Sequence, residues 1–266
     1  MNAEELLRRY TSGETDFAGV DLSGVDFNKA NLLDINLTNT NLINAKLKSA
    51  KLSGANLSGA NLSGANLNCI ELKDANLSNA NLSEVNLGGA QLEGANFSGA
   101  NLREAWLEGA DLSGANLSNA CLENATLHYV DATDANLSGA NLKNGFLSRL
   151  NCENTNLTGA DLSDADLGEA GFYEATLIGT NLSNTMLHQT GFENSDLTGA
   201  NFSGAIMDET SFDGSNLSHA NLMGVQPEPS LMAKKVRLMG KGFEDGILCN
   251  TIMPDGTIRN DNCTDR

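Results

Sequence analysis

Lys51 to Leu67 reads KLSGANLSGANLSGANL, and the rest of the chain is a variation on it. Leucine returns at every fifth residue, alanine stands two before it, and asparagine lies between them. With Leu57 taken as position i of one unit, every fifth residue from Phe17 to Leu222 is a centre, giving 42 consecutive units without an insertion. Of these 42 centres 39 are Leu or Phe, the exceptions being Ala132, Cys152 and Met207. A period this strict overrides the one or two globular domains that a 266-residue chain would otherwise suggest.

An extended backbone turns residues two apart to the same side, so i−2 and i both face inward. Positions i−1, i+1 and i+2 face outward, and they carry Asn or Asp, then Ser, Thr or charge, then Gly, Asn or charge, which suits a turn in every unit. A helix fails the pattern, because a five-residue step points each leucine in a new direction. An ordinary strand fails too, since five is odd and the inward face would flip at each unit. Phe172, Phe192 and Phe212 are spaced by 20, and so are the small centres Ala132 and Cys152. A coil of twenty residues has four sides. The i−2 partners of the two small centres are Val130 and Leu150 in place of alanine, which returns the missing volume within the unit, as close packing requires. The expected fold is an all-β solenoid: a quadrilateral parallel β-helix, right-handed as parallel connections are, and about 50 Å long at the strand spacing.

Residues 1–14 are expected to form a capping helix over the open end of the stack. In NAEELLRRY, Asn2 is the N-cap, Glu5 its capping-box partner, and Leu6, Leu7 and Tyr10 an apolar stripe, with Gly13 as the stop. The repeats then span 15–224, and 225–266 form a C-terminal helix-plus-hairpin tail. Ser230 caps a helix over 231–239, closed by Gly240 and made basic by Lys234, Lys235, Arg237 and Lys241. Pro254-Asp255-Gly256 between two apolar runs signals a hairpin. Cys249 and Cys263 fall opposite each other across it, within reach of a disulfide, though a reducing cytoplasm argues for thiols.

Composition excludes several functions. A net charge of −18 and a pI near 4.3 argue against direct binding of nucleic acid or anionic lipid. No window approaches a membrane span, the N-terminus lacks the apolar core of a signal peptide, and a cytoplasmic location is expected. Five cysteines without a CxxC pair make neither a zinc pattern nor a disulfide scaffold. No catalytic constellation, metal site, cofactor or small-molecule substrate is expected, because the abundant Ser and Asn are already explained by the turns.

At this point the residues carry a resemblance. Units of A-(N/D)-L-(S/T)-G over 15–224 are similar to those of the pentapeptide repeat proteins, and NAEELLRRY and IMPDGTI look most like cyanobacterial members. The resemblance implies a right-handed quadrilateral β-helix. It also implies a second function, since members that confer fluoroquinolone resistance are DNA mimics that bind gyrase, a type II topoisomerase.

Sorting outward residues by side gives two candidate surfaces. The side centred on Leu32 to Phe212 carries Asp34, Glu71, Asp74, Glu93, Asp111, Asp131, Asp134, Glu153, Glu174, Glu193 and Asp213 against Lys51 and Lys73. It is either a solubilising face or an anionic strip for a basic partner or cations. The side centred on Phe27 to Met207 carries Trp106, Phe146, Met186 and Ile206 at i−1, with Tyr129 and His188 beside them. An apolar column facing water calls for a protein partner or a second copy, unless the tail folds back over it. The expected function is therefore a non-enzymatic interaction or scaffold protein, a rigid acidic rod with one apolar strip. DNA mimicry is the alternative. DNA presents a charge per about 1.7 Å, whereas the acidic side would carry about one excess charge per coil of about 4.8 Å.

Overall fold

The computed structural model describes residues 1–226 and 246–263. The chain divides into two compact units, Met1–Asp131 and Ala132–Arg266, and the division falls inside the repeat, where the sequence has no break.

Both units are built the same way, and the unit around Leu57 shows why five residues suffice. Its five backbone N–H groups all find acceptors. Ala55 donates to Leu52 O of its own coil (3.0 Å), Asn56 to Ile35 O of the preceding coil (2.9 Å), and Leu57 and Gly59 to Asn76 O and Ser78 O of the following one (2.7 and 2.9 Å). The fifth, Ser58 N–H, donates to the side-chain Oδ1 of Asn56 (3.1 Å). Position i−1 pairs in parallel with the residue 20 further on, as in Asn36–Asn56–Asn76–Asn96, and each coil of twenty residues carries four such bridge positions. The bond from i+3 N–H to i C=O, with positive φ at i+2, is that of a type II turn. Position i+2 has positive φ in every unit from Gly19 to Gly224, even at Lys29, Arg149 and His219. For such residues this conformation costs on the order of 1–2 kcal/mol each, and the inter-coil bonds hold them there.

The interior is a column of centres and small i−2 residues. Phe172, Phe192 and Phe212 stack at ring-centroid distances of 4.9 and 5.2 Å, and Phe202 meets the latter two edge-on. Where i−2 is Thr or Ser in place of Ala, the buried hydroxyl donates to a centre's carbonyl. Thr155 reaches Ala132 O (2.7 Å), Thr180 reaches Leu157 O (2.8 Å), and Ser195 reaches Phe172 O. Each substitution thus keeps the core free of an unpaired hydroxyl.

The first unit opens with α1 (Ala3–Thr11), where Asn2 Oδ1 accepts Glu5 N–H (2.8 Å) as the N-cap. The Glu5 carboxylate lies 3.9 Å from Arg9. Leu6 is fully buried, while Met1 N donates to Asp21 O (3.0 Å) and Tyr10 Oη to Leu33 O (2.9 Å), so the helix sits on the first coils.

In the second unit, β1 (Met186–His188) and β2 (Ile206–Asp208) pair in parallel, Met186 opposite Ile206. The helix expected over 231–239 lies outside the described residues. The tail then does more than form a hairpin: Asn216 pairs with Ile247 and Asn221 with Ile252 in parallel, an offset of 31 residues in place of 20. Leu248 and Met253 are buried as centres and Thr251 as an i−2 residue, so 246–255 are two further units. The expected hairpin follows, with β3 (Thr251–Ile252) antiparallel to β4 (Ile258–Arg259), closed by Gly256 N–H to Met253 O (2.9 Å). Cys249 and Cys263, expected as thiols in a reducing cytoplasm, are joined as a disulfide, their Cα atoms 5.4 Å apart.

Ala132 N–H donates to Asn151 O (2.8 Å), so Ala132 and Cys152 lie in adjacent coils, and Val130 and Leu150 are both buried. Two small neighbouring centres leave little that can relax into a cavity at Leu150. Leu150→Ala is therefore expected to cost roughly 3–5 kcal/mol, the upper part of the range for core truncation, and more than Leu57→Ala. Thermal or denaturant unfolding of the two variants checks this, and equal losses would contradict it.

Candidate functional site

The side-chain bond at the fifth amide makes the four sides unequal. On the side of Leu57, Asn76 Nδ2 donates to Asn56 Oδ1 (3.2 Å), Asn96 to Asn76 (3.3 Å) and Asn116 to Asn96 (3.2 Å). On the side of Leu62, Asn81 donates to Asn61 (3.1 Å) and Asn101 to Asn81 (3.0 Å), and in the second unit Asn201 donates to Asn181 (3.3 Å) and Asn221 to Asn201 (3.1 Å). These ladders occupy two sides. The variable i−1 residues fall on the other two, which are the sides that the sequence singles out. The sequence holds the signal for the ladders, Asn at i−1 every twenty residues, but only the structure shows the amides joined.

In the first unit Trp106 bridges Asn86 and Thr126 and is 49% exposed. Its indole rests beside Gly88, where a Cβ would stand in van der Waals contact, 3.5 Å from Cδ1. Tyr129 is exposed at an i+2 corner with φ 58°. In the second unit Phe146, Asp166, Met186 and Ile206 form one column through successive bridges, with Phe146 51% and Met186 47% exposed. His188 Nδ1 lies 3.4 Å from the Asp208 carboxylate. The structure thus brings Phe146, Met186, His188 and Ile206 together in the second unit, while Trp106 and Tyr129 belong to the first. Of the tail that would fold back over this side, residues 227–245 lie outside the described residues. Ile247 pairs with Asn216, on a laddered side.

The acidic residues divide likewise. Asp34, Glu71, Asp74, Glu93, Asp111 and Asp131 lie in the first unit, where Lys51 Nζ pairs with Glu71 (2.9 Å) and Asp111 Oδ1 takes the Ser113 amide (2.9 Å). Asp34 folds over Gly54, its Oδ1 lying where a Cβ would otherwise stand. Asp134, Glu153, Glu174, Glu193 and Asp213 lie in the second unit, where Glu193 folds over Gly191 and hydrogen bonding to Glu174 holds the Tyr173 phenol above its ordinary value. Glu93 and Asp213 each bury one carboxylate oxygen that has no hydrogen-bond partner among the described residues. Among the described residues no three His, Cys, Asp or Glu are grouped to hold a metal, and no helix is long and apolar enough to cross a membrane.

The family profile described as pentapeptide repeats, in 8 copies, matches residues 15–54, 55–94, 75–114 and 90–128, and the profile of the pentapeptide repeat region matches 147–222. The chain belongs to the pentapeptide repeat family. Among solved pentapeptide repeat structures it is similar to HetL, a protein involved in heterocyst differentiation regulation from the cyanobacterium Nostoc sp. strain PCC 7120. The match has 30% identity over 97% of this chain and 100% of HetL, with a TM-score of 0.69. Rfr23 from the cyanobacterium Cyanothece 51142 is 30% identical over 52% of this chain and 98% of its own, with a TM-score of 0.29. A trypsin-treated form of QnrB1, a plasmid-mediated fluoroquinolone resistance protein, is 21% identical over 75% of this chain and 88% of its own, with a TM-score of 0.41. At those scores neither of the last two carries an argument. No curated protein sequence matches the chain.

Phe146 stands where Asn would accept the amide two residues on, as Asn141 accepts Lys143 N–H (3.0 Å) one unit earlier. Phe146→Asn is expected to leave stability unchanged or raise it by up to about 1 kcal/mol, the net worth of one such bond. The melting temperature checks this, and a clear drop would show that the ring packs for stability.

Proposed function

We propose that this pentapeptide repeat protein is a non-enzymatic interaction protein that holds a protein partner, or a second copy, on the side carrying Phe146, Met186, His188 and Ile206. The reading rests on one observation. Half-exposed apolar side chains stand in a bridging column where an asparagine would satisfy a backbone amide. Large apolar and aromatic groups exposed together anchor interfaces, and Trp106 and Tyr129 extend the same chemistry in the first unit. The regulatory role that HetL has in heterocyst differentiation agrees with action through a partner.

The fold that presents this surface is proposed as a right-handed quadrilateral β-helix over 15–224, with a capping helix over 1–14 and a C-terminal cap over 225–266, acting in the cytoplasm. Four bridge positions per twenty residues support the four sides, and the packing of α1 on the first coils supports the cap.

A second reading draws on the acidic side. Glu153, Glu174, Glu193 and Asp213 in the second unit give it an anionic surface of the kind a DNA mimic would offer a type II topoisomerase such as gyrase, and the first unit carries acids of its own. Two experiments separate the readings. Capture from the native source with the wild-type protein should retain a partner that Trp106→Ser and Phe146→Asn lose, and gyrase supercoiling should be unaffected. Retention by both variants would remove the interaction surface, and inhibition of supercoiling would favour mimicry.

A further inference from the structure

We propose that a groove at Gly168 in the second unit is the seat for one basic side chain of the protein partner. The inference rests on the reading above, whose surface it extends, and gives that surface a chemical preference. Gly168 occupies an i+1 position, where Ser or Thr is usual, and its own amide donates to Asp166 Oδ1 (3.0 Å). The missing side chain opens a groove of about 500 Å³ whose lining includes Ser148, Asp166, Glu169, Met186, Ile206 and Asp208. Asp166, Met186 and Ile206 follow one another through bridges, so they line about 10 Å of the column at the coil spacing.

The lining has two chemical halves. Met186 and Ile206 give an apolar wall. Asp166, Glu169 and Asp208 give three carboxylates, and among the described residues lining the groove there is no Lys or Arg. Glu169 is engaged, since Arg149 reaches it from outside the groove (2.8 and 3.0 Å) and that hydrogen bond lowers its pKa. Asp208 is largely enclosed, its side chain 17% exposed, and among the described residues it faces the imidazole of His188 at 3.4 Å. An anion would be repelled here, and a purely apolar group would leave Asp166 and Asp208 without a counter-charge. A lysine or arginine side chain matches both halves, because its methylene stem lies on apolar surface while its cation sits at the edge. Phe146 bridges to Asp166 and continues the column, so residues flanking the basic one have an apolar surface to cover. That continuity favours a protein segment over a free small cation.

The test is a titration of the full-length protein with the peptide acetyl-Ala-Leu-Arg-Leu-Ala-amide. The same peptide with citrulline, which is neutral and nearly the same shape, and free arginine amide are the comparisons. The Met186 methyl and His188 ring signals are followed by NMR. The arginine peptide should move both signals saturably and bind at least tenfold more tightly than the citrulline peptide. Asp208→Asn should weaken it about tenfold, and Gly168→Leu should abolish it by filling the groove. Should Gly168→Leu fail to fold, Asp208→Asn still decides. Equal binding of the citrulline peptide, indifference to Asp208→Asn, or unmoved Met186 and His188 signals would each overturn the proposal. Arginine amide binding as tightly as the peptide would assign the groove to a free cation instead. Binding that appears only after Lys234→Glu, Lys235→Glu and Arg237→Glu are combined would assign it to the chain's own basic stretch. A native partner lost with Phe146→Asn but kept by Asp208→Asn would leave the interaction surface standing and remove only the groove's charge preference.

Discussion

The structure depends on how one amide in five is satisfied. In the unit around Leu57 four backbone N–H groups find carbonyls, one in the unit's own turn and three in neighbouring coils. The amide at i+1 there donates to a side chain instead of a carbonyl. An Asn or Asp at i−1 supplies the acceptor, as in Asn56 to Ser58, Asn81 to Ser83 and Asp161 to Ser163. A side chain hydrogen-bonded to its own backbone two residues on is a turn device, and here it repeats as part of the fold. It also explains why Asn and not only Asp serves: the amide of Asn has a second group to offer, and its Nδ2 reaches back to the preceding coil.

Two sides use that device almost throughout and carry the ladders. The other two relax it. Trp106 and Phe146 leave the amides of Glu108 and Ser148 without this acceptor, and Lys46 leaves the amide of Lys48 to the side chain of Asn28 (2.8 Å). These positions give up a local bond and gain a side chain that faces outward. The outward side chain can vary there because the core, formed by i and i−2, is untouched by the change. Gly168 alters the surface without moving Leu167 from the interior.

Much of this was legible in the sequence, and the parts that were not have physical reasons. The period alone places Leu57 and Ala55 inside, and the twenty-residue spacing of Phe172, Phe192 and Phe212 gives the coil length before any coordinates. Pro254-Asp255-Gly256 announces its turn. The two further units around Leu248 and Met253 were missed because they return at an offset of 31 residues, so a count by fives passes over them. The disulfide was readable only as proximity, since pairing depends on where the hairpin lies. The groove escaped because Gly168 looks like an ordinary substitution until Ser148, Met186 and Asp208 surround it, each about twenty or forty residues away in sequence. Phe146, Met186 and Ile206 follow one another through bridges in the second unit, and Trp106 lies in the first.

The most direct test of the account is native-state amide hydrogen exchange resolved by residue. Amides at i+1 that have the side-chain acceptor, such as Ser83 behind Asn81 and Lys143 behind Asn141, should exchange slowly, in line with their bonded neighbours. Amides that lack it, at Glu108 behind Trp106 and Ser148 behind Phe146, should exchange much faster within the same coils. Uniform protection of all four would contradict the account, because the side-chain bond would then not be what holds the fifth amide.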